Sequence, residues 1–317
     1  MAQPARIVVV GSLNMDLVVV APRIALEGET ILGGQFSTMP GGKGANQAVA
    51  ASRLGAKVHM VGCVGDDGFG QELLAHLNQE NIDTEYVSTL AGISSGVAMI
   101  TVNESGENSI VVSSGANARM TPDHVRRAES VICSSDLLLI QLEIPMETVE
   151  EAVSIANRHQ VPVILNPAPA NQLSEALLKQ VDILTPNETE GKLIITGQAD
   201  GDASVEEIIS TLINKGVKRV VMTLGGDGAA YSEKGTIQHL KAHQMEVVDT
   251  TGAGDSFNAG LGVYLAEGGS LEEAVQFAQK AAALSVAKLG AQPAMPSRIE
   301  VEHFHNKRSN GGEVYES

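Results

Sequence analysis

Residues 137–185 read LLLIQLEIPMETVEEAVSIANRHQVPVILNPAPANQLSEALLKQVDILT. Three short apolar runs, Leu137–Leu142, Pro162–Leu165 and Ile183–Thr185, alternate with two stretches of helical composition, Glu147–His159 and Ser174–Gln180. Short runs that are mostly apolar suit strands covered on both faces, and an intervening helix supplies the crossover that parallel strands need.

The rhythm extends in both directions. Upstream lie a β-branched run, Ile7–Val10, closed by Gly11, an Ala-rich helix over Gly44–Leu54, a strand over Val58–Val64, and helices over Phe69–Glu80 and Pro122–Val131. Downstream come a helix over Val205–Lys215, a strand over Arg219–Leu224, and closing helices over Ser256–Glu267 and Leu271–Lys288. The expected class is α/β, a mainly parallel central sheet flanked by helices on both faces. Four segments break the pattern: Leu17–Ala21, Thr30–Met39, Gly96–Val102 and Ser109–Ser113, the last two joined by a loop of hairpin composition. They suit a small separate sheet within 14–40 and 96–113. Residues 1–305 read as a single domain, and 306–317 as a polar tail expected to fray.

Composition narrows the function. With 21 basic and 38 acidic residues the net charge is −17, which disfavours nucleic acid and anionic lipid. No apolar run approaches a membrane span, and the N-terminal run is too short for a signal peptide, so the cytoplasm is the expected compartment. Aromatic residues are 3% of the chain, so the core must be aliphatic. Cys63 and Cys133 lie in apolar runs and are expected to be buried free thiols. His239 and His243, and His303 and His305, lack a third ligand in a helical motif, and zinc is not expected.

Chemistry concentrates in glycine-rich turns after strands, where doubly wound sheets gather ligands. The segment Asp249-Thr-Thr-Gly-Ala-Gly-Asp-Ser-Phe257 opens a helix. Its small residues Gly252, Ala253 and Gly254 let backbone N–H groups approach an anion at the positive end of that helix. Asp255 beside an anion site is placed to accept a hydroxyl proton; an ordinary N-cap after a glycine turn is the other reading. Gly41-Gly-Lys-Gly-Ala-Asn46 opens another helix, with Lys43 and Asn46 as polar groups, and lacks the Walker A spacing. Thr223-Leu-Gly-Gly-Asp-Gly228 either passes over a nucleotide or forms a hairpin turn. Asn14 and Asp16, at i and i+2 of an extended segment, can hold vicinal hydroxyls or form a solvated turn. Asn187 and Glu190 can orient Mg²⁺ or cap a helix.

Together these elements resemble the ribokinase group of PfkB-type carbohydrate kinases, from about Ile7 to Pro296. Gly41–Ala48 is similar to the family's first signature and Asp249–Asn258 to its second. Asn14-Met-Asp16, Asn166-Pro-Ala-Pro169 and Pro186–Glu190 are more particular to the group. The resemblance implies ATP-dependent phosphorylation of D-ribose at its 5-hydroxyl. It assigns ribose to Asn14, Asp16, Gly42, Lys43, Asn46 and Glu143, the base to Asp255, and the anion hole to Gly252, Ala253 and Gly254. Asn187, Thr223, Gly225, Gly226, Gly228 and Gln279 would meet ATP, with Glu190 near Mg²⁺. Asp249, Thr251, Ser285, Lys288 and Gly290 would surround a monovalent cation, usually K⁺. The group often carries Ser at the position of Ala294 and His or Asn at that of Gln279. A homodimer through the small sheet is implied as well.

Two other substrate readings stay open: a kinase of the same family acting on 2-deoxyribose, a nucleoside or a ketohexose, and a sugar or nucleotide sensor without catalysis. A dinucleotide-dependent oxidoreductase is disfavoured, because the first strand runs into Gly-Ser-Leu-Asn-Met-Asp rather than G-x-G-x-x-G.

Overall fold

Alternate residues of the first strand, β1 (Arg6–Val10), enter different layers. Ile7 and Val9 join one apolar core, Val8 and Val10 another, as the two-residue period of a strand requires. This is a computed structural model, and it describes residues 4–105 and 107–304. The expected tail at 306–317 lies outside the described residues.

From β1 the chain passes through β2 (Asn14–Val20), β3 (Phe36–Gly41), α1 (Lys43–Arg53), β4 (Lys57–Gly65), α2 (Gly68–Gln79), β5 (Asp83–Leu90), β6 (Gly96–Val102) and β7 (Asn108–Ser113). Then come α3 (Pro122–Arg127), α4 (Glu129–Ser134), β8 (Leu137–Ile140), α5 (Met146–Arg158), β9 (Val163–Leu165), α6 (Glu175–Leu178), β10 (Ile183–Leu184) and α7 (Glu188–Thr196). Last are α8 (Val205–Asn214), β11 (Arg219–Thr223), β12 (Ala229–Glu233), β13 (Thr236–Leu240), α9 (Ala253–Ala266), α10 (Leu271–Ser285) and α11 (Arg298–Glu302).

The main sheet has nine strands in the order β13-β12-β11-β10-β9-β8-β1-β4-β5. From β11 to β5 every pair is parallel, and β12 and β13 add an antiparallel hairpin at one edge. One face carries the apolar sides of α1, α2, α9 and α10, the other those of α3 to α8. The chain moves outward from β1 to β4 and β5, then returns beside β1 at β8. The strand order therefore reverses between β1 and β8, and their carboxyl ends open a crevice there. The small sheet, order β3-β2-β6-β7, stands apart from this one and enters the crevice at Asn14.

Some expected elements shift. Thr30–Gln35 is not strand; β3 begins at Phe36, and the preceding Gly33-Gly34 pair leaves the ladder with Gly34 donating to the Val20 carbonyl at 2.7 Å. The helix expected over Pro122–Val131 is two, separated at Ala128. The thiol expectation holds for Cys63 alone: Cys133 is free and exposed, because α4 turns Val131 and Ile132 to the core and leaves Cys133 outside. The strand β5 was not expected; α7 and the hairpin β12–β13 take the capped-helix and hairpin-turn readings left open at Asn187–Glu190 and Thr223–Gly228. The two outer elements are half-exposed or polar, which blurs a strand's apolar pattern. No described helix is long and apolar enough to cross a membrane.

The first turn of α1 rests directly on the backbone that leaves β1. A Cβ at Gly44 would lie 2.6 Å from the carbonyl carbon of Gly11 and from the amide nitrogen of Ser12. Gly→Ala inside a helix ordinarily stabilises by about 1 kcal/mol. Here the sign is expected to reverse: Gly44→Ala lowers stability by about 1–3 kcal/mol through overpacking. Urea unfolding compares the two proteins, and an unchanged or raised midpoint would show that α1 can lift away freely.

Candidate active site

The loop before α9 is held from both sides. Val248 and Asp249 donate their N–H groups to the Val286 carbonyl at 2.8 and 3.2 Å. The Asp249 carboxylate accepts from the Thr251 amide at 2.9 Å, the Thr251 hydroxyl at 2.6 Å and the Gly290 amide at 2.8 Å. Burial alone would raise its pKa, but these donors outweigh it and hold the carboxyl below its ordinary value. Gly252 then turns the chain into α9 with φ +78°, where a side chain would be strained and a Cβ would sit 3.0 Å from Ala291.

No side chain caps α9. The Ala253 amide turns back to the Thr250 carbonyl at 3.2 Å. Among the described residues the amides of Gly254 and Asp255 have no hydrogen-bond partner, and the space a Cβ at Gly254 would take is open. The positive end of a 14-residue helix is thus free to take an anion.

Asp255, 6% exposed, lies on the first turn of α9. Its Oδ2 accepts from Asn46 Nδ2 at 2.9 Å and its Oδ1 from Gln47 Nε2 at 3.1 Å. Burial raises its pKa, opposed by Lys43 and by these two amides. The amides belong to a wider buried network. Gln292 donates to Asn46 at 3.0 Å, Gln141 to Gln47 at 2.6 Å, and Gln47 also to Asn166 at 3.2 Å. Thr185 donates to Asn258 at 2.6 Å, and Asn258 donates on to the Gly254 carbonyl at 2.8 Å. The carboxyl ends of β8, β9 and β10 are so tied to α1 and α9.

A cavity of about 210 Å³ opens beside this network, lined by Lys43, Asn166, Thr185, Asn187, Glu190, Thr223 and the start of α9. Lys43 is largely buried and has no carboxylate within ion-pair distance among the described residues. Burial would lower its pKa, but Asp255, Glu143, Glu190 and Asp16 together raise it, so the ammonium is held charged. Asn187 and Glu190 form a capping box for α7: Asn187 Oδ1 accepts from the Glu190 amide at 2.8 Å and Glu190 Oε2 from the Asn187 amide at 2.9 Å. Burial nevertheless raises the pKa of Glu190. Capping and cavity lining coexist at this residue.

Asn14, Asp16, Gly42, Asn46 and Glu143 meet on the other side of Asp255. Glu143 Oε2 accepts from the Ser12 hydroxyl at 2.5 Å and the Lys43 amide at 3.1 Å, while Ser12 Oγ accepts from the Gly44 amide at 3.3 Å. The N-terminus of α1 is therefore satisfied from within. Asn14 Oδ1 accepts from Asn117 Nδ2 at 2.8 Å, and Asn117 also brackets the Leu13 peptide with two 3.0 Å bonds. Asp16 is pushed up to about 7, by burial first and then by Glu143 and Asp255 against Lys43.

Other expected residues stand outside the cavity wall. Gly225 and Gly226 form an exposed turn beyond Thr223, and Gly228 packs on the β13 end in the hairpin arrangement. Gln279 donates to the Leu240 carbonyl at 3.0 Å. Ser285 donates to the Ala282 carbonyl at 2.8 Å, and the Lys288 ammonium, which offers no oxygen, pairs with Glu300 at 3.0 Å. A second cavity, of about 200 Å³, lies at the opposite ends of the strands between Asp136, Asp182 and Arg219.

Gln47, Gln141, Asn117, Ser12 and Gln292 were not singled out from sequence. Gln47 lies inside the Gly41–Ala48 signature and Gln141 one residue past a strand, which are positional signals. Asn117 carries none.

The pfkB family carbohydrate kinase model matches residues 4–298. The ribokinase of Haemophilus influenzae is 44% identical over 93% of this chain and 97% of its own length. That of Bacillus subtilis is 45% identical over 94% and 98%. The structure of Arabidopsis thaliana ribokinase complexed with ribose and ATP superposes with a TM-score of 0.85 at 34% identity, covering 95% of this chain and 98% of that one.

The elevated Asp16 carries a signed consequence for stability. Its pKa is about 7 when folded against 3.8 for the free group, so between about pH 4 and 7 the native state binds the extra proton and stability falls as pH rises. Asp16→Asn is expected to flatten that slope, and at pH 8 to recover on the order of 2 kcal/mol after discounting for partial exposure. Urea midpoints at pH 5 and 8 measure it; parallel slopes for the two proteins would refute the burial argument.

Proposed function

The chain belongs to the pfkB family of carbohydrate kinases, and from that membership we propose that the crevice transfers the γ-phosphoryl group of ATP to the 5-hydroxyl of D-ribose, with Asp255 as base. The chain is an ATP-dependent kinase that phosphorylates ribose. One observation carries the reading of the site: a buried carboxylate and an uncapped helix N-terminus occupy the same turn. A hydroxyl oxygen beside Asp255 attacks the phosphorus, the bond to the ADP oxygen breaks, and the proton passes to Asp255. The open amides of Gly254 and Asp255 and the Lys43 ammonium face the charge that spreads over the phosphoryl oxygens.

Asn14, Asp16, Gly42, Asn46 and Glu143 hold the sugar, with Lys43 reaching between it and the phosphates. Thr223, Asn187 and the Gly225–Gly228 turn receive ATP, and Gln279 borders the base. The donor set around Glu190 suits Mg²⁺ carried by nucleotide phosphates rather than a protein cage: among the described residues no three His, Cys, Asp or Glu side chains converge. Bound there, the ion would neutralise phosphate charge, and Glu190 would orient its waters. For K⁺ the fitting donors are the Asp249 carboxylate, held in place by Thr251 and Gly290, and backbone carbonyls of the 249–251 and 285–290 segments. Residues 1–305 act as one catalytic unit with 14–40 and 96–113 as its lid. The compartment that supplies ATP, the cytoplasm, suits two free thiols.

A second copy of the chain is the proposed partner of the lid. Val20, Phe36, Met99, Ile110, Val111 and Val112 are all at least 41% exposed there, an apolar load that a small sheet needs to cover. The double change Ile110→Asp and Val112→Asp is expected to give a monomer by light scattering and to raise KM for ribose. A dimer that survives both charges would place the interface elsewhere.

The direct test is ADP release with Mg-ATP and D-ribose, with and without K⁺, beside 2-deoxyribose, fructose and adenosine. Ribose is expected to be the best acceptor, and Asp255→Asn to lower kcat about 10³-fold while still binding ATP. Sugar binding without ADP release would favour a sensor. Faster turnover of another acceptor would move the substrate and keep the chemistry.

A further inference from the structure

Among the described residues only two side chains donate to Asp255, and they differ in what else they can reach. Asn46 contributes its amide to Oδ2 beside the sugar side. Gln47 is 0% exposed, so its surface is covered by protein rather than open to substrate. It nonetheless donates to Asp255 Oδ1 at 3.1 Å.

We propose that Gln47 is a positioning residue for phosphoryl transfer, fixing the Asp255 carboxylate toward the acceptor hydroxyl, and that Gln141 fixes Gln47 in turn. The proposal rests on the reading that Asp255 receives the proton. A glutamine amide can present either its oxygen or its nitrogen. Here Gln141 Nε2 donates to Gln47 Oε1 at 2.6 Å, and Asn166 Oδ1 accepts from Gln47 Nε2 at 3.2 Å. Reversing the Gln47 amide would set its oxygen against the oxygens of Asp255 and Asn166, and its nitrogen against that of Gln141. All three contacts would become repulsive, so the amide has one orientation. Gln141 is 0% exposed and its Oε1 has no hydrogen-bond partner among the described residues, so its amide is engaged through the bond to Gln47.

The charged groups that face Asp255 come from several elements. Lys43 on α1 favours its ionised form, while Glu143 after β8, Asp16 on β2 and Glu190 on α7 work against it. All four remain in a Gln47 variant. A change in the acid limb of activity then reports the lost donor, since a hydrogen bond to the charged form is what keeps that form at lower pH.

The experiment compares wild type, Gln47→Met, Gln141→Met and Asp255→Asn, each checked for folding by thermal melting and ATP binding. Gln47→Met is expected to lose about 10–100-fold in kcat, to keep KM for ribose and ATP within about threefold, and to shift the acid limb of kcat upward by about one pH unit. Gln141→Met is expected to move kcat and the limb the same way by less, and it carries the test alone if Gln47→Met does not fold. A loss that appears in KM, or wild-type kcat and acid limb in the folded variants while Asp255→Asn is inactive, overturns the positioning role and leaves the base. Wild-type turnover in Asp255→Asn overturns both.

Discussion

A carboxylate buried without a contacting cation is the constraint from which the rest of this architecture follows. Removing Asp255 from water costs several kcal/mol unless donors replace the lost hydration. Those donors are Asn46 and Gln47, adjacent residues of α1, and the acceptor sits on α9. The two helices must therefore begin over the same end of the sheet, close enough for neutral side chains to bridge them. Gly44 against Gly11, and Gly252 against Ala291, give the backbone that closeness. The apolar face shared by α1, α9 and α10 then fixes the distance from behind.

The same crowding sets the site's electrostatics. Asp16, Glu143, Glu190 and Asp255 surround one ammonium, Lys43. Burial is the first cause of the raised pKa at Asp16, Glu190 and Asp255 alike. Four carboxylates against one ammonium leave the group short of positive charge. Hydroxyl donors on a sugar and cations accompanying a nucleotide are the chemistry that relieves it, which explains why a strongly acidic protein can still accept an anionic substrate. The positive elements it offers are local: a helix end and one lysine.

The sequence carried the central layer well, because doubly covered strands such as Leu137–Ile140 are apolar at every position and cannot be mistaken for loops. It carried the edges poorly. The β5 strand mixes Asp83, Glu85 and Thr89 with apolar residues, and β13 is nearly all exposed, so neither shows a strand's contrast. At the site, Asp255, Asn46 and Lys43 were legible because glycines flank them. Asn117 was not: it reaches Leu13 and Asn14 across 104 and 103 positions of chain, and no local pattern encodes that distance. Gln47 and Gln141 were hidden for a different reason. A polar residue at a helix's inner face reads as an ordinary interruption until its partners are seen.

The two glycine-rich helix starts look alike in sequence, and the fold makes them unequal. Both have a glycine at the N-cap with positive φ and neither has a capping side chain of its own. At α1, however, Glu143 accepts from Lys43 and Ser12 from Gly44, so the amides are spent before any ligand arrives. At α9 the Asp249 carboxylate is turned away into Thr251 and Gly290, and the Gly254 and Asp255 amides stay open. Of these two helix starts, only the second keeps open amides for an anion. The first is left to position side chains: Lys43 toward the cavity, Asn46 and Gln47 toward the base. On the proposed reading of Asp255 as base, that division sets it between acceptor and donor, because the helix with open amides also carries the carboxylate, and the other helix supplies the side chains that hold it.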